Sequence, residues 1–84
     1  MTASEFQRRY QEYRTFDLAV AIAECERANL EGIDKHTAVV VEFDGLGYCL
    51  MLNVAAEEIR CLGIISVDQI HIPDPRPTVR GTCD

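Results

Sequence analysis

Tryptophan is absent from the chain, lysine occurs once, as Lys35, and no cysteine lies close in sequence to another. The positive charge therefore rests on seven arginines, and it is outweighed: the formal charge is −6 over 84 residues. An acidic surface repels phosphate backbones, so direct nucleic-acid binding is disfavoured by the long-range electrostatic term. The excess sits in the middle of the chain, where residues 36–72 set Arg60 against Glu42, Asp44, Glu57, Glu58 and Asp68. Mild acidity by itself serves solubility. Long apolar runs are missing too. The longest, Leu18–Ala23, falls far short of the about 20 residues that cross a bilayer, so no membrane association is expected. The opening Met1-Thr-Ala-Ser-Glu-Phe6 lacks the basic and apolar regions of a secretory signal, which points to a cytoplasmic protein.

The four cysteines, Cys25, Cys49, Cys61 and Cys83, are separated by 24, 12 and 22 residues. Structural zinc sites take their ligands in pairs about two to four residues apart, which presets half of the coordination geometry. The only set with the right chemistry, Cys49, Cys61, His71 and Cys83, has no such pair, and no metal is expected. Free cysteine among apolar neighbours behaves as a small hydrophobe, which suits Cys25, Cys49 and Cys61. A cysteine nucleophile needs a base, and the only histidines are His36 and His71. Cys49 on a strand and His71 on another are the pair to test. Glu57 and Glu58, adjacent on a helix, point about 100° apart and do not face each other as an acid/base pair would. No catalytic constellation emerges. Neither a catalytic residue nor a cofactor is expected.

What is present is a clear order of elements. Thr2-Ala-Ser-Glu5 is a capping box, and Phe6, Tyr10, Tyr13, Phe16, Val20 and Ala23 then recur at helical spacing. Gly32 supplies the stop. The pattern predicts one helix over residues 3–31, bent near Asp17, with Thr15-Phe16-Asp17 as a competing break and Asp17 as the cap of a second helix. Arg8, Arg9 and Arg14 flank Tyr10 and Tyr13, an arrangement that fits a packing or oligomer seam better than a nucleic-acid site. A hairpin follows, turning at Asp44-Gly45. Asn53 is the expected cap of a short helix ending at Gly63, and Ile64–Ile72 resembles a third strand interrupted at Asp68-Gln69. Pro73-Asp-Pro-Arg-Pro77 ends regular structure. The expected fold class is α+β in the order α-β-β-α-β: a long N-terminal helix packed on a small antiparallel sheet. One domain occupies 1–72, with a Pro-rich tail, disordered or extended, over 73–84.

The hairpin is unusual in being apolar on both faces. Val39, Val41 and Phe43 fall on one side of the first strand and Ala38 and Val40 on the other. The return strand likewise opposes Tyr48, Leu50, Leu52 and Val54 to Cys49 and Met51. A hairpin with one wet face alternates apolar and polar residues, so each face here needs a cover. The N-terminal helix is one cover and a second copy of the chain the other, with Tyr10, Tyr13, Val40 and Met51 at the oligomer interface.

The leading expectation is a non-enzymatic regulatory or inhibitory protein, homodimeric, that binds another protein with a basic surface. Glu42, Asp44, Glu57, Glu58 and Asp68 present the charge to it. Compact acidic proteins of mobile elements that block nucleic-acid-handling complexes, such as anti-CRISPR proteins, share this size and charge, an analogy of class without a shared motif. Two alternatives compete. One is a homo-oligomer holding a small ligand between subunits, its pocket lined by Tyr48, His71 and Arg60. The other is a structural subunit of a larger assembly.

Overall fold

The computed structural model describes residues 1–73. Its first 31 residues form two helices rather than one: α1, Ala3–Tyr10, and α2, Leu18–Glu31. The competing break at Thr15-Phe16-Asp17 is the one that forms. Thr15 Oγ1 accepts from the Asp17 N–H (3.1 Å) and Asp17 Oδ1 accepts from the Ala19 N–H (3.0 Å), capping α2. The backbone of Thr15 meanwhile leaves the helix and exchanges hydrogen bonds with Tyr48, at 3.1 and 2.7 Å. Two sheet-type bonds and a capped second helix replace the helical bonds that a continuous rod would have made.

The break also turns the buried stripe. α1 buries Phe6 and Tyr10 as expected, but α2 buries Ala21, Cys25 and Ala28, while Phe16, Val20 and Ala23 of the expected stripe are exposed. Small side chains on the inner face let α2 lie close on the sheet. The capping box forms, with Thr2 N–H to Glu5 at 2.8 Å and Glu5 N–H to Thr2 at 3.1 Å. Gly32 ends α2 at φ +97°.

The hairpin comprises β1, Ala38–Phe43, and β2, Gly47–Leu52, in the register Ala38 opposite Leu52 to Phe43 opposite Gly47. α3, Asn53–Cys61, follows at once. Its N-cap is Leu52, with no side-chain hydrogen bond, and not Asn53. The Asn53 N–H continues the sheet by bonding to Thr37 C=O (2.8 Å), which places Asn53 in the first helical position. Gly63, at φ +82°, stops α3. The expected long third strand shrinks to β3, Ile70–His71, because Val67–Gln69 forms a 3-10 turn capped reciprocally by Ser66 and Gln69. β3 pairs with β1, so the antiparallel sheet has the order β2-β1-β3. Beyond Pro73 the expected Pro-rich tail lies outside the described residues.

Both faces of the hairpin are covered by the chain itself. Ala38, Val40, Leu50 and Leu52 pack with Phe6, Tyr10, Ala21, Cys25, Ala28 and Ile33 under α1 and α2. Val39 and Val41 pack with Ala56 and Ile65, joined by Phe43, Cys49, Met51, Ile59 and Ile70. α3 and the segment after it thus take the place expected of a second copy. The architecture is α+β, a three-stranded sheet between two helical layers.

Candidate functional site

The residues expected at an oligomer seam are placed by this packing. Val40 and Tyr10 are buried in the chain's own core, which corrects their expected role at a subunit boundary. Tyr10 also donates its hydroxyl to Glu24 (2.6 Å) and stacks edge-on against Tyr13, with centroids 5.7 Å apart. Tyr13 and Met51 are half-buried against opposite faces of the sheet.

The five carboxylates do not share one surface. Glu42 stands on the α1–α2 face of β1, near His71 Nε2 at 3.5 Å. Asp44 is exposed at the tip of the hairpin. Glu57 and Glu58 are exposed on α3, and Glu57 accepts two hydrogen bonds from Arg60, at 2.8 and 3.1 Å. Asp68 is exposed in the 3-10 turn. Glu58 on α3 and Asp68 in the turn have no ion-pair partner among the described residues.

The three residues expected around an inter-subunit pocket are divided. Tyr48 and His71 meet edge-on across β1, with ring centroids 5.7 Å apart. Arg60 lies on α3, beneath the opposite face, tied to Glu57. The sheet also separates Cys49 from His71: Cys49 packs with Val39 and Val41 on the α3 side, while the His71 ring rests against Tyr48 and Glu42 on the other. The pair that a cysteine hydrolase would need is not assembled. Burial pushes the Cys49 thiol up, partly opposed by the charge of Arg14, and pushes Cys25 up to about 12. Both thiols are thereby held in the unreactive protonated form. Among the described residues no cluster of histidine, cysteine and carboxylate side chains is placed to hold a metal, and no helix is long and apolar enough to cross a membrane.

The inventory of exposed residues adds two features that the sequence pattern did not single out. The first is apolar. Val54 on α3, and Leu62, Ile64 and Val67 just after it, are 58–70 % exposed. Ile64 and Val67 occur where a third strand was expected, and Leu62 at the expected last position of the short helix, where it is the C-cap of α3. The second is at the sheet edges. Along the outer side of β1 Asn29 clasps both Ala38 N–H (2.7 Å) and C=O (3.1 Å), β3 pairs at Val40, and the Gln69 amide donates to Glu42 C=O (2.8 Å). Along the outer side of β2, Thr15 serves Tyr48. By strand alternation the Leu50 N–H and C=O point the same way, and neither has a hydrogen-bond partner among the described residues.

Comparison of the chain with protein-family models, with curated proteins and with solved structures found no match. The functional reading accordingly rests on the surfaces themselves.

Proposed function

We propose that the protein is a non-enzymatic binding module that acts by docking on another protein through the face formed by α3 and the 3-10 turn. One observation carries the reading: Leu62, Ile64 and Val67, at 70, 60 and 66 % exposure, stand together in sequence between the carboxylates of Glu58 and Asp68. Apolar side chains held in water by a folded chain and rimmed by charge are the usual composition of a contact surface. Arg60 is paired with Glu57, so the charge left over on Glu58 and Asp68 is of one sign and favours a partner that presents an apolar depression bordered by arginine or lysine. Proteins that handle nucleic acids carry such basic surfaces, so a regulatory or inhibitory role toward one of them is the sharper form of the proposal.

The test is retention of partner proteins by the tagged, reduced protein from a lysate of its source cells at moderate salt. We expect one stoichiometric partner, lost when Leu62→Ser and Val67→Ser are combined and weakened with a steeper salt response by Glu58→Gln with Asp68→Asn. All four positions are exposed, so the folded state survives these changes. Empty capture by well-folded protein, or retention indifferent to all four substitutions, overturns the reading.

A further inference from the structure

A cleft of about 310 Å³ opens at the outer edge of β2, between that strand and the chain around the end of α1. Its walls are the rings of Tyr10 and Tyr13 on one side and Leu50, Cys49 and Met51 on the other, with Arg14 at the mouth. Three features point to an occupant. Among the described residues Arg14 is the only charged one lining the cleft, and it has no ion-pair partner there. Glu24, outside the lining, is engaged by the Tyr10 hydroxyl and by Arg27. Arg14 shares the lining with Cys49 and Leu50 of β2. The Leu50 peptide groups face away from β1 without a partner among the described residues, although Leu50 retains only 5 % of its surface. Buried backbone groups find protein, water or a ligand to bond with, because leaving them bare forfeits the hydrogen bonds they make with water.

We propose that this cleft binds a small carboxylate with an apolar body. The carboxylate sits on Arg14, the apolar part lies between Tyr10, Tyr13 and Leu50, and an amide of the ligand, where it has one, pairs with the Leu50 N–H and C=O. Charge complementarity selects the anion, since guanidinium binds a carboxylate through two parallel N–H bonds. The volume lies at the lower end of small-ligand sites. The rings are preset: the Tyr10 hydroxyl is anchored on Glu24, and the Tyr13 ring is fixed edge-on against Tyr10. Two sources share this chemistry, the free carboxyl terminus of a peptide that ends in an apolar residue and a free apolar acid. Thr15, which already pairs with Tyr48 as a one-residue antiparallel strand, shows that the edge accepts extended backbone.

The experiment is a titration of the full chain, labelled with nitrogen-15, by N-acetyl-leucine and by its neutral twin N-acetyl-leucinamide. The acid should shift the Leu50 amide resonance saturably and slow its hydrogen exchange, while the amide binds at least about tenfold more weakly. Arg14→Gln, an exposed substitution, should weaken the acid by the same factor and leave the spectrum of the unliganded fold intact. N-acetyl-Thr-Val-Leu and 4-phenylbutyrate then separate the sources. Tighter binding of the peptide assigns the cleft to chain ends, and tighter binding of the free acid assigns it to small acids. The proposal is overturned if none of these acids saturates, if acid and amide bind alike, or if Arg14→Gln changes nothing. A Leu50 amide already protected in the unliganded protein also overturns it, because the edge then has an occupant from the chain itself or a second copy.

Discussion

Replacing Gly47 by alanine isolates the junction on which the break between α1 and α2 depends. Gly47 closes the hairpin at φ +89°, and a Cβ built there meets the Thr15 carbonyl oxygen at 2.6 Å, its carbon at 3.2 Å and the Phe16 ring at 3.3 Å. The oxygen it strikes is the acceptor of the 2.7 Å bond from the Tyr48 N–H, so it cannot move without loosening the Thr15–Tyr48 bridge. Gly45, two residues earlier, provides the control. Its φ of +77° is also left-handed, yet nothing lies within 4 Å of its Cβ. Both alanine variants incur the conformational cost of a left-handed residue, about 1–2 kcal/mol. Gly47→Ala additionally disrupts two backbone hydrogen bonds, worth about 1–3 kcal/mol together. The expected losses are therefore about 1–2 kcal/mol for Gly45→Ala and about 2–5 kcal/mol for Gly47→Ala. For a domain of this size each kilocalorie lowers the melting temperature by about 4–8 °C. Urea unfolding at pH 7 measures the difference, and hydrogen exchange locates it: the Thr15 and Tyr48 amides should lose protection in Gly47→Ala alone. If the two variants agree to within about 0.5 kcal/mol, or if the bridge amides stay protected, the steric reasoning is wrong.

Asn29→Ala removes both hydrogen bonds that close the β1 edge at Ala38 and should cost about 1–3 kcal/mol in urea unfolding, with Ala38 exchange accelerated. Tyr10→Phe deletes the hydrogen bond that is the foremost cause holding Glu24 below its ordinary carboxylate value of 4.5. Because the folded-state value is the lower one, this contribution is complete above that pH and fades as pH falls through the folded value. The stability gap between wild type and Tyr10→Phe should accordingly be flat near neutrality and narrow in acid. A gap that widens in acid refutes the assignment. Of the three described cysteines, alkylation by iodoacetamide at pH 8, followed by peptide mass spectrometry, should modify exposed Cys61 first, half-buried Cys49 slowly, and Cys25 only on global unfolding. Rapid modification of Cys25 in the folded state would contradict its complete burial between α2 and the sheet.

Features whose cause lies within a few residues were legible in the sequence. The Thr2–Glu5 box, the stop at Gly32, the turn at Asp44-Gly45 and the end of α3 at Gly63 each require only a short-range hydrogen bond or a left-handed residue at one position. The alternation of the hairpin was equally readable, because side chains on a strand change face at every residue. It established that both faces needed a cover, and both have one.

The tertiary structure alone decided what those covers are and what remains exposed. Helical spacing from Phe6 to Ala23 is compatible with one rod, and only Tyr48, 33 residues away in sequence, draws Thr15 out of it. The same distance problem hid the cap of α3, since Asn53 is already committed to Thr37 across the sheet. It also hid the distribution of charge: periodicity assigns Glu42, Glu57 and Asp68 to their own elements, but not to opposite sides of the sheet. The lone cation of the β2 cleft became visible only when Arg14 and Leu50, remote in the chain, were brought to one edge. Local preferences set by steric and hydrogen-bonding rules determine elements and faces. Which face meets which is determined by long-range burial and backbone pairing, whose partners a one-dimensional pattern does not name.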